Sequence, residues 1–288
     1  MATHNDFEDR VCDPDDRAGA GYAVVGAYAD GVTWEKTRGA AARVTELEHT
    51  GSTNADMASR AAIDALPHLS VLLTRDQRSG RGRLDRQWRA PVGASLAVSV
   101  LVRVDGVPFA SRGWIPLIAG AAMARAVRAQ AVGHPVGAKW PNDVLVAGRK
   151  ICGILVEATA DLSTVIIGSG INTRMTAEEL PVPTATSFAT IGTQCDEDVL
   201  LADYLRELDR QLAALTEAGG DAERAGVRRD VVDGCITIGQ SVRVMMPAGD
   251  DLLGTAEDLD ADGRLVVRTT DGPVPVAAGD VVHVRPAE

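Results

Sequence analysis

The sequence predicts an α+β protein in two parts, a mixed strand-and-helix region followed by a small all-β domain of the SH3-like barrel type. Three observations carry this. Short β-branched runs alternate with longer amphipathic stretches from Arg43 to Glu217. After Gly234 the pattern becomes short strands separated by Gly and Asp turns. Hydrophobic residues make up 45% of 288 residues, enough for a sizeable core.

Residues 1–40 are rich in Ala, Gly and Asp without periodicity and read as a flexible extension, with a short strand near Tyr22–Tyr28. Their first ten residues are polar and acidic, unlike a secretory signal. A strand is predicted over 44–48. A helix over 54–66 follows, capped by Thr53 or Asn54 and ended by Pro67. Val71–Thr74 reads as a buried strand, 75–89 as a polar loop and 95–102 as a strand. Residues 115–132 are Ala-rich and amphipathic, a helix that packs on a sheet. Strands at 143–146 and 151–158 form a hairpin, and 165–168 is a core strand. Leu200, Leu201, Tyr204, Leu205, Leu208 and Leu212 mark a core-packing helix over 198–217. The final strands are expected at 242–244, 252–256, 265–268, 274–276 and 281–284. The domains are thus placed at 41–235 and 236–288.

No apolar run approaches the roughly 18 residues of a membrane span. Cys12, Cys152, Cys195 and Cys235 lie far apart with no Cys-x-x-Cys pair, which suits a reducing cytoplasm better than a disulfide framework or zinc site. The net charge of −11 is the opposite of a nucleic-acid-gripping surface. Of the 29 basic residues only Lys36, Lys139 and Lys150 are lysine. The bland cause is a bias towards arginine, yet a retained lysine marks places that need a compact ammonium.

Against this acidic background, the segment 75–89 holds arginines at 75, 78, 81, 83, 86 and 89. Such a concentration repels itself unless an anion offsets it. Gly80 and Gly82 let the backbone close around a ligand, and Trp88 offers an aromatic face, so a phosphate-bearing ligand fits. The plain alternative is an arginine-rich surface loop. No Walker A motif occurs in the chain. Lys139-Trp140-Pro141-Asn142-Asp143 is either a common turn or a strand entrance where Asp143 can bind Mg²⁺. Lys150, where a hairpin turn meets an apolar strand, can neutralise a carboxylate and stabilise charge on an α-phosphate, or simply reach into solvent. Gly153 permits close approach of a ligand, and Gly168-Ser169-Gly170-Ile171-Asn172 suits a pocket floor.

Together and in order, these segments resemble the biotin–protein ligases, in a form lacking an N-terminal DNA-binding domain. The matches are Ser52-Thr53-Asn54, Gln77 leading to Gly80-Arg81-Gly82-Arg83, Arg86 with Trp88, and Lys139 through Asp143. Arg149-Lys150 before Gly153 through Glu157, Gly170-Ile171-Asn172 and Ala185-Thr186-Ser187 complete them. The resemblance spans about 44–187, and the β-rich tail fits the family's C-terminal domain. It implies a catalytic fold related to class II aminoacyl-tRNA synthetases. It also implies two reactions: biotin and ATP give biotinyl-5′-AMP, then a lysine of a carboxylase carrier domain takes the biotin.

The resemblance further implies that Ser52, Thr53, Asn54, Gln77 and Gly153 line the biotin pocket. Gly80, Arg81, Gly82 and Arg83 form the loop that closes over biotin and the adenylate, with Arg83 and Lys150 catalytic. ATP is expected on Arg81, Arg83, Arg86, Trp88, Lys139, Asn142, Asp143 and Asn172, with Asp143 organising Mg²⁺. Arg78 and Asp85 stand where the family often has Thr and Gly, which implies altered loop dynamics. A lipoate–protein ligase shares the fold and the two-step logic, but the Gly-Arg-Gly-Arg loop and the Lys-Trp-Pro-Asn-Asp segment favour biotin. A biotin-operated DNA-binding repressor would need a helix-turn-helix that residues 1–40 lack the pattern for. A non-enzymatic biotin-binding module would need neither Lys150 nor the arginine loop. The expected setting is cytoplasmic, as a monomer or weak homodimer, with no nucleic acid or membrane partner.

Overall fold

A computed structural model describes residues 32–83, 86–246, 250–277 and 279–283. The expected strand at 22–28, Cys12 and the departure at Asp85 lie outside the described residues.

Order begins earlier than residue 41. Trp34 is buried, and the short helix α1 (Glu35–Arg38) packs on the chain that follows. Residues 32–40 are therefore part of the folded body, because one large aromatic side chain there outweighs the polar composition around it. Strand β1 (Arg43–Glu46) leads to helix α2 (Thr53–Ala61). Its N-cap is Ser52, whose side chain accepts from the Ala55 amide, rather than Thr53 or Asn54. It ends about a turn before the expected stop at Pro67, leaving Ile63 exposed.

Strand β2 (Ser70–Thr74) precedes the arginine loop. Within that loop β3 (Gly80–Arg81) pairs with β4 (Gln87–Trp88), so part of the expected polar loop is a miniature hairpin. Strand β5 (Leu96–Arg103) and helix α3 (Trp114–Gln130) follow. Strand β6 (Val136–Lys139) was not anticipated: it has too few β-branched residues for periodicity to reveal it. Strands β7 (Asp143–Val146) and β8 (Arg149–Ala158) form the expected hairpin, closed by Ala147 and Gly148 at φ 48° and 75°. Both positive values are those of the type I′ turn that matches strand twist. Strand β9 (Thr164–Ile171), helix α4 (Glu197–Glu217) and helix α5 (Val227–Gly234) complete the larger region.

These strands form one seven-stranded sheet in the order β1-β2-β5-β9-β8-β7-β6, parallel only between β1 and β2. Alternation sorts its faces. Val98, Val100 and Val102 of β5 point to the core shared with α3 and α4, while Leu101 joins Leu47, Met57 and Ile166 under α2. The second region is a five-stranded antiparallel sheet, made of β10 (Ser241–Met245), β11 (Leu252–Leu259), β12 (Leu265–Thr269), β13 (Gly272–Val276) and β14 (Asp280–His283). Its order is β13-β12-β11-β10-β14. The two regions touch where Ala138 of β6 bridges to Cys235 and its carbonyl accepts from Ile236.

Candidate active site

The α2 face of the sheet carries a cleft of about 200 Å³, lined by the N-terminal turn of α2, the arginine loop, the β7–β8 hairpin and the glycines of β9. Its floor is fixed by hydrogen bonds between lining groups and the residues just behind them. Gln77 Oε1 accepts from the Thr53 amide at 2.9 Å and from its hydroxyl at 3.1 Å. Buried Asn54 accepts from Ser99 Oγ at 2.6 Å and donates to Glu157 Oε2 at 2.7 Å and to the Leu155 carbonyl at 3.3 Å. Asn54 therefore spends its amide on holding α2 to β5 and β8. Apolar Ala97, Ile154 and Leu155 share the lining, giving the mixed character of a small-molecule pocket.

The loop closes one side. Trp88 lies against Gly170: a Cβ there would sit 2.6 Å from the indole. Gly80 is explained by packing in the same way, since a Cβ would fall 2.5 Å from Gln77 Nε2 and 2.6 Å from the Trp88 carbonyl. Glycine here lets the β3–β4 hairpin close. Arg81 pairs with Glu157 at 3.1 Å. Arg83 donates to Asn142 Oδ1 at 3.1 Å and to the Gly279 carbonyl of the C-terminal region at 3.5 Å. Burial pushes the pKa of Arg83 below its ordinary value, with Asp143 opposing that shift. Arg78, Arg81, Arg83, Arg86 and Arg89 also border a second concavity on the outer side of the loop. Arg75 is the exception among the six, because it is buried and turned away from both hollows.

The cationic end of the cleft is Lys150, whose Nζ stands 2.5 Å from Asp143 Oδ1. Gly153 leaves room for it: a Cβ there would lie 3.0 Å from Lys150 Cε and Nζ. The backbone of Lys150 is held on both sides, donating to the Thr184 carbonyl and accepting from the Thr186 amide, each at 2.8 Å. Cys152 beside it is fully buried, and its thiol is pushed up to about 12 by desolvation, so it offers no nucleophile.

Three predicted site residues fall outside the cleft lining: Gly80 of the loop and the expected ATP contacts Asn172 and Lys139. Asn172 is buried and donates to the Thr186 carbonyl at 2.9 Å, which pins the segment that holds Lys150. Lys139 lies at the end of β6 in a neighbouring small recess with Asn142 and Asp143, where burial lowers its pKa. The remaining predicted residues, Ser52, Thr53, Asn54, Gln77, Arg81, Gly82, Arg83, Arg86, Trp88, Asn142, Asp143, Lys150 and Gly153, all line the one cleft. Glu157 was missed as a participant. Its signal was the period-two alternation of β8, which puts 153, 155 and 157 on one face.

Asp143 lines the cleft with a buried oxygen that accepts no hydrogen bond, which suits a Mg²⁺ held jointly by one carboxylate and substrate phosphates rather than an ion held by protein groups alone. Among the described residues no three His, Cys, Asp or Glu side chains group as a protein-only metal site, and the same Asp143 oxygen stands against the Lys150 ammonium. Asp143 is thus the partner of the lysine in this structure.

The comparisons with known proteins agree with this geometry. Residues 46–172 match the biotin/lipoate A/B protein ligase family, and residues 237–284 match the biotin protein ligase C-terminal domain. The chain is 39% identical over 242 residues to the biotin–[acetyl-CoA-carboxylase] ligase of Mycobacterium tuberculosis, covering 83% of this chain and 88% of that one. The chain belongs to the biotin protein ligase family. Another relative is the bifunctional ligase/repressor BirA of Escherichia coli, 32% identical over 85% of this chain and 75% of that one. Among solved structures, the biotin protein ligase of Aquifex aeolicus in complex with biotin and ATP superposes with a TM-score of 0.70. It is 22% identical and covers 85% of this chain and 99% of that one, a likeness in fold. The catalytic fold of biotin protein ligases is therefore the fold of this chain.

Proposed function

We propose that this protein activates biotin with ATP to give biotinyl-5′-AMP and then transfers biotin to a lysine of a carboxylase biotin carrier domain in the cytoplasm. The observation that carries the reading is Lys150. It is the one lysine lining a cleft walled by the polar N-terminal turn of α2, strand residues of the sheet and the arginine loop, in a chain 39% identical to a biotin–[acetyl-CoA-carboxylase] ligase.

The chemistry follows from the placement. A biotin carboxylate oxygen attacks the α-phosphorus of ATP, the α–β phosphoanhydride breaks and pyrophosphate leaves. The ammonium of Lys150 sits where it neutralises the carboxylate and the charge that develops on the α-phosphate. Asp143 holds that ammonium by an ion pair at 2.5 Å until substrate oxygens take its place. Gln77 and Thr53 supply polar groups to the ring end of biotin, and Trp88 with Leu155 supplies apolar wall. Arg81 and Arg83 can exchange Glu157 and Asn142 for the adenylate phosphate as the loop closes. In the second step the carrier amine attacks the mixed-anhydride carbonyl and AMP departs with the bonding pair. Water must be kept out between the steps, since the anhydride hydrolyses readily.

The test is ATP–pyrophosphate exchange with biotin and, separately, with lipoate. Exchange should depend on biotin. Exchange with lipoate alone would overturn the reading.

A further inference from the structure

The arginine loop leaves the sheet at Thr74, the last residue of β2 in register with β5, where Thr74 faces Ala97. Beyond that pair β5 no longer holds the chain, which runs on beside Thr50 and Gly51: the Asp76 carbonyl accepts from the Thr50 amide, and the Arg78 and Ser79 amides donate to the Thr50 and Gly51 carbonyls. The loop's neck is closed by backbone bonds. The Arg75 carbonyl accepts from the Gly93 amide and the Ala94 carbonyl accepts from the Arg174 amide, each at 2.9 Å.

A buried charge cluster sits on this neck, outside the cleft. The Arg75 guanidinium is 4% exposed, with Glu46 and Glu197 around it at 5% and 1%. It donates to Glu46 Oε1 at 3.0 Å and doubly to Glu197 Oε2, at 2.9 and 2.5 Å. Trp34 lies under the guanidinium, 5.2 Å from its ring centre, and donates to Glu46 Oε2 at 2.8 Å. The other oxygen of Glu197 accepts from Thr173 Oγ1 at 2.8 Å and faces Arg174 Nε at 3.5 Å. One carboxylate at the start of α4 thus grips both the residue that opens the loop and the pair that holds its exit.

Burying two carboxylates is expensive, and desolvation raises the pKa of Glu46 here. Geometry explains what the arrangement achieves. Gln77, whose amide oxygen orders Thr53, is two residues from Arg75, and Gly80 through Arg83 follow directly. We infer that Arg75, clamped by Glu46 and Glu197, is a positioning residue that fixes the neck of the active-site loop and thereby sets how well the closed loop retains the acyl-adenylate. This rests on the ligase reading above, and it adds residues that lie outside the cleft.

The test uses the full-length protein with Arg75→Lys, which keeps the charge but loses the two-sided fork, and Glu197→Gln, which releases the exit. Three quantities are read: biotin-dependent pyrophosphate exchange, escape of biotinyl-AMP into solution, and tryptic cleavage at the loop arginines with biotin and ATP present. Leu208→Ala, in the core face of α4, is the control for lost stability alone. Wild-type exchange tests the ligase reading itself; without it, only that reading fails. Given exchange, both neck variants should leak adenylate about tenfold faster and lose ligand-dependent protection from trypsin, with exchange changed by less than about threefold. Leu208→Ala should leak at the wild-type rate. Wild-type leakage in folded neck variants, or equal leakage in Leu208→Ala, overturns the inference. Should Arg75→Lys not fold, Glu46→Gln, which removes the charge of only one partner, carries the same readings.

Discussion

Lys150 owes its place to three neighbours: the Asp143 carboxylate, the missing side chain of Gly153, and the segment 184–186 that brackets its backbone. Replacing it with alanine should lower biotin-dependent exchange by at least ~10²-fold, measured under saturating substrates. Arginine should not rescue it, because a planar fork does not fit the space Gly153 leaves. Gly170→Ala should raise the KM for biotin by roughly tenfold, since a methyl group must displace the Trp88 indole; an unchanged KM in a steady-state assay would show that the indole is not part of the binding wall. Both residues stood out in the sequence, the lysine by rarity and the glycine by its place at a strand end. Their partners did not, because Trp88 and Gly170 are joined only when β4 folds over β9.

At the scale of elements, α2 is held to the sheet by Asn54, which reaches Ser99 on β5 and both Leu155 and Glu157 on β8. Asn54→Ala leaves a buried serine hydroxyl and a carboxylate short of a partner, which should destabilise the fold by about 1–3 kcal/mol in urea unfolding. Biotin affinity should fall with it, because the N-terminal turn of α2 lines the cleft. The core elements were legible because their periodicities are strong: β5 and β9 run as near-continuous apolar strands, and α4 shows helical spacing of leucines. Strand β6, with Gly137 and Ala138 at its centre, and the β3–β4 hairpin were not, because tertiary contact rather than propensity forms them.

For the whole molecule, the contact between the two regions is polar at its edge. Thr237 Oγ1 accepts from the Trp140 amide at 3.0 Å and lies 3.3 Å from His283 Nε2. Burial first, and the nearby Lys139 ammonium second, lower the His283 pKa below its ordinary value. The folded state then binds a proton less readily than the unfolded chain. Stability is therefore full above the unfolded value and falls as pH drops from there through the folded one. Thermal midpoints measured between pH 7.5 and pH 5 should drop by a few degrees more in the wild type than in His283→Gln. Parallel curves would show that His283 does not titrate across this junction.

The sequence by itself determined the α+β class, the change to short strands after Gly234, the concentration of arginines in residues 75–89 and the ordered motifs of the family. These are local properties, written in periodicity, in glycine positions and in residue types that chemistry restricts. The tertiary structure alone decided which arginines face the cleft. Arg75 reads the same as Arg81 in the sequence, yet one is buried between Glu46 and Glu197 while the other lines the pocket. The physical reason is that a charge takes its role from what surrounds it, and Glu46 and Glu197 reach Arg75 from distant parts of the chain only when β1 and α4 come together on the sheet.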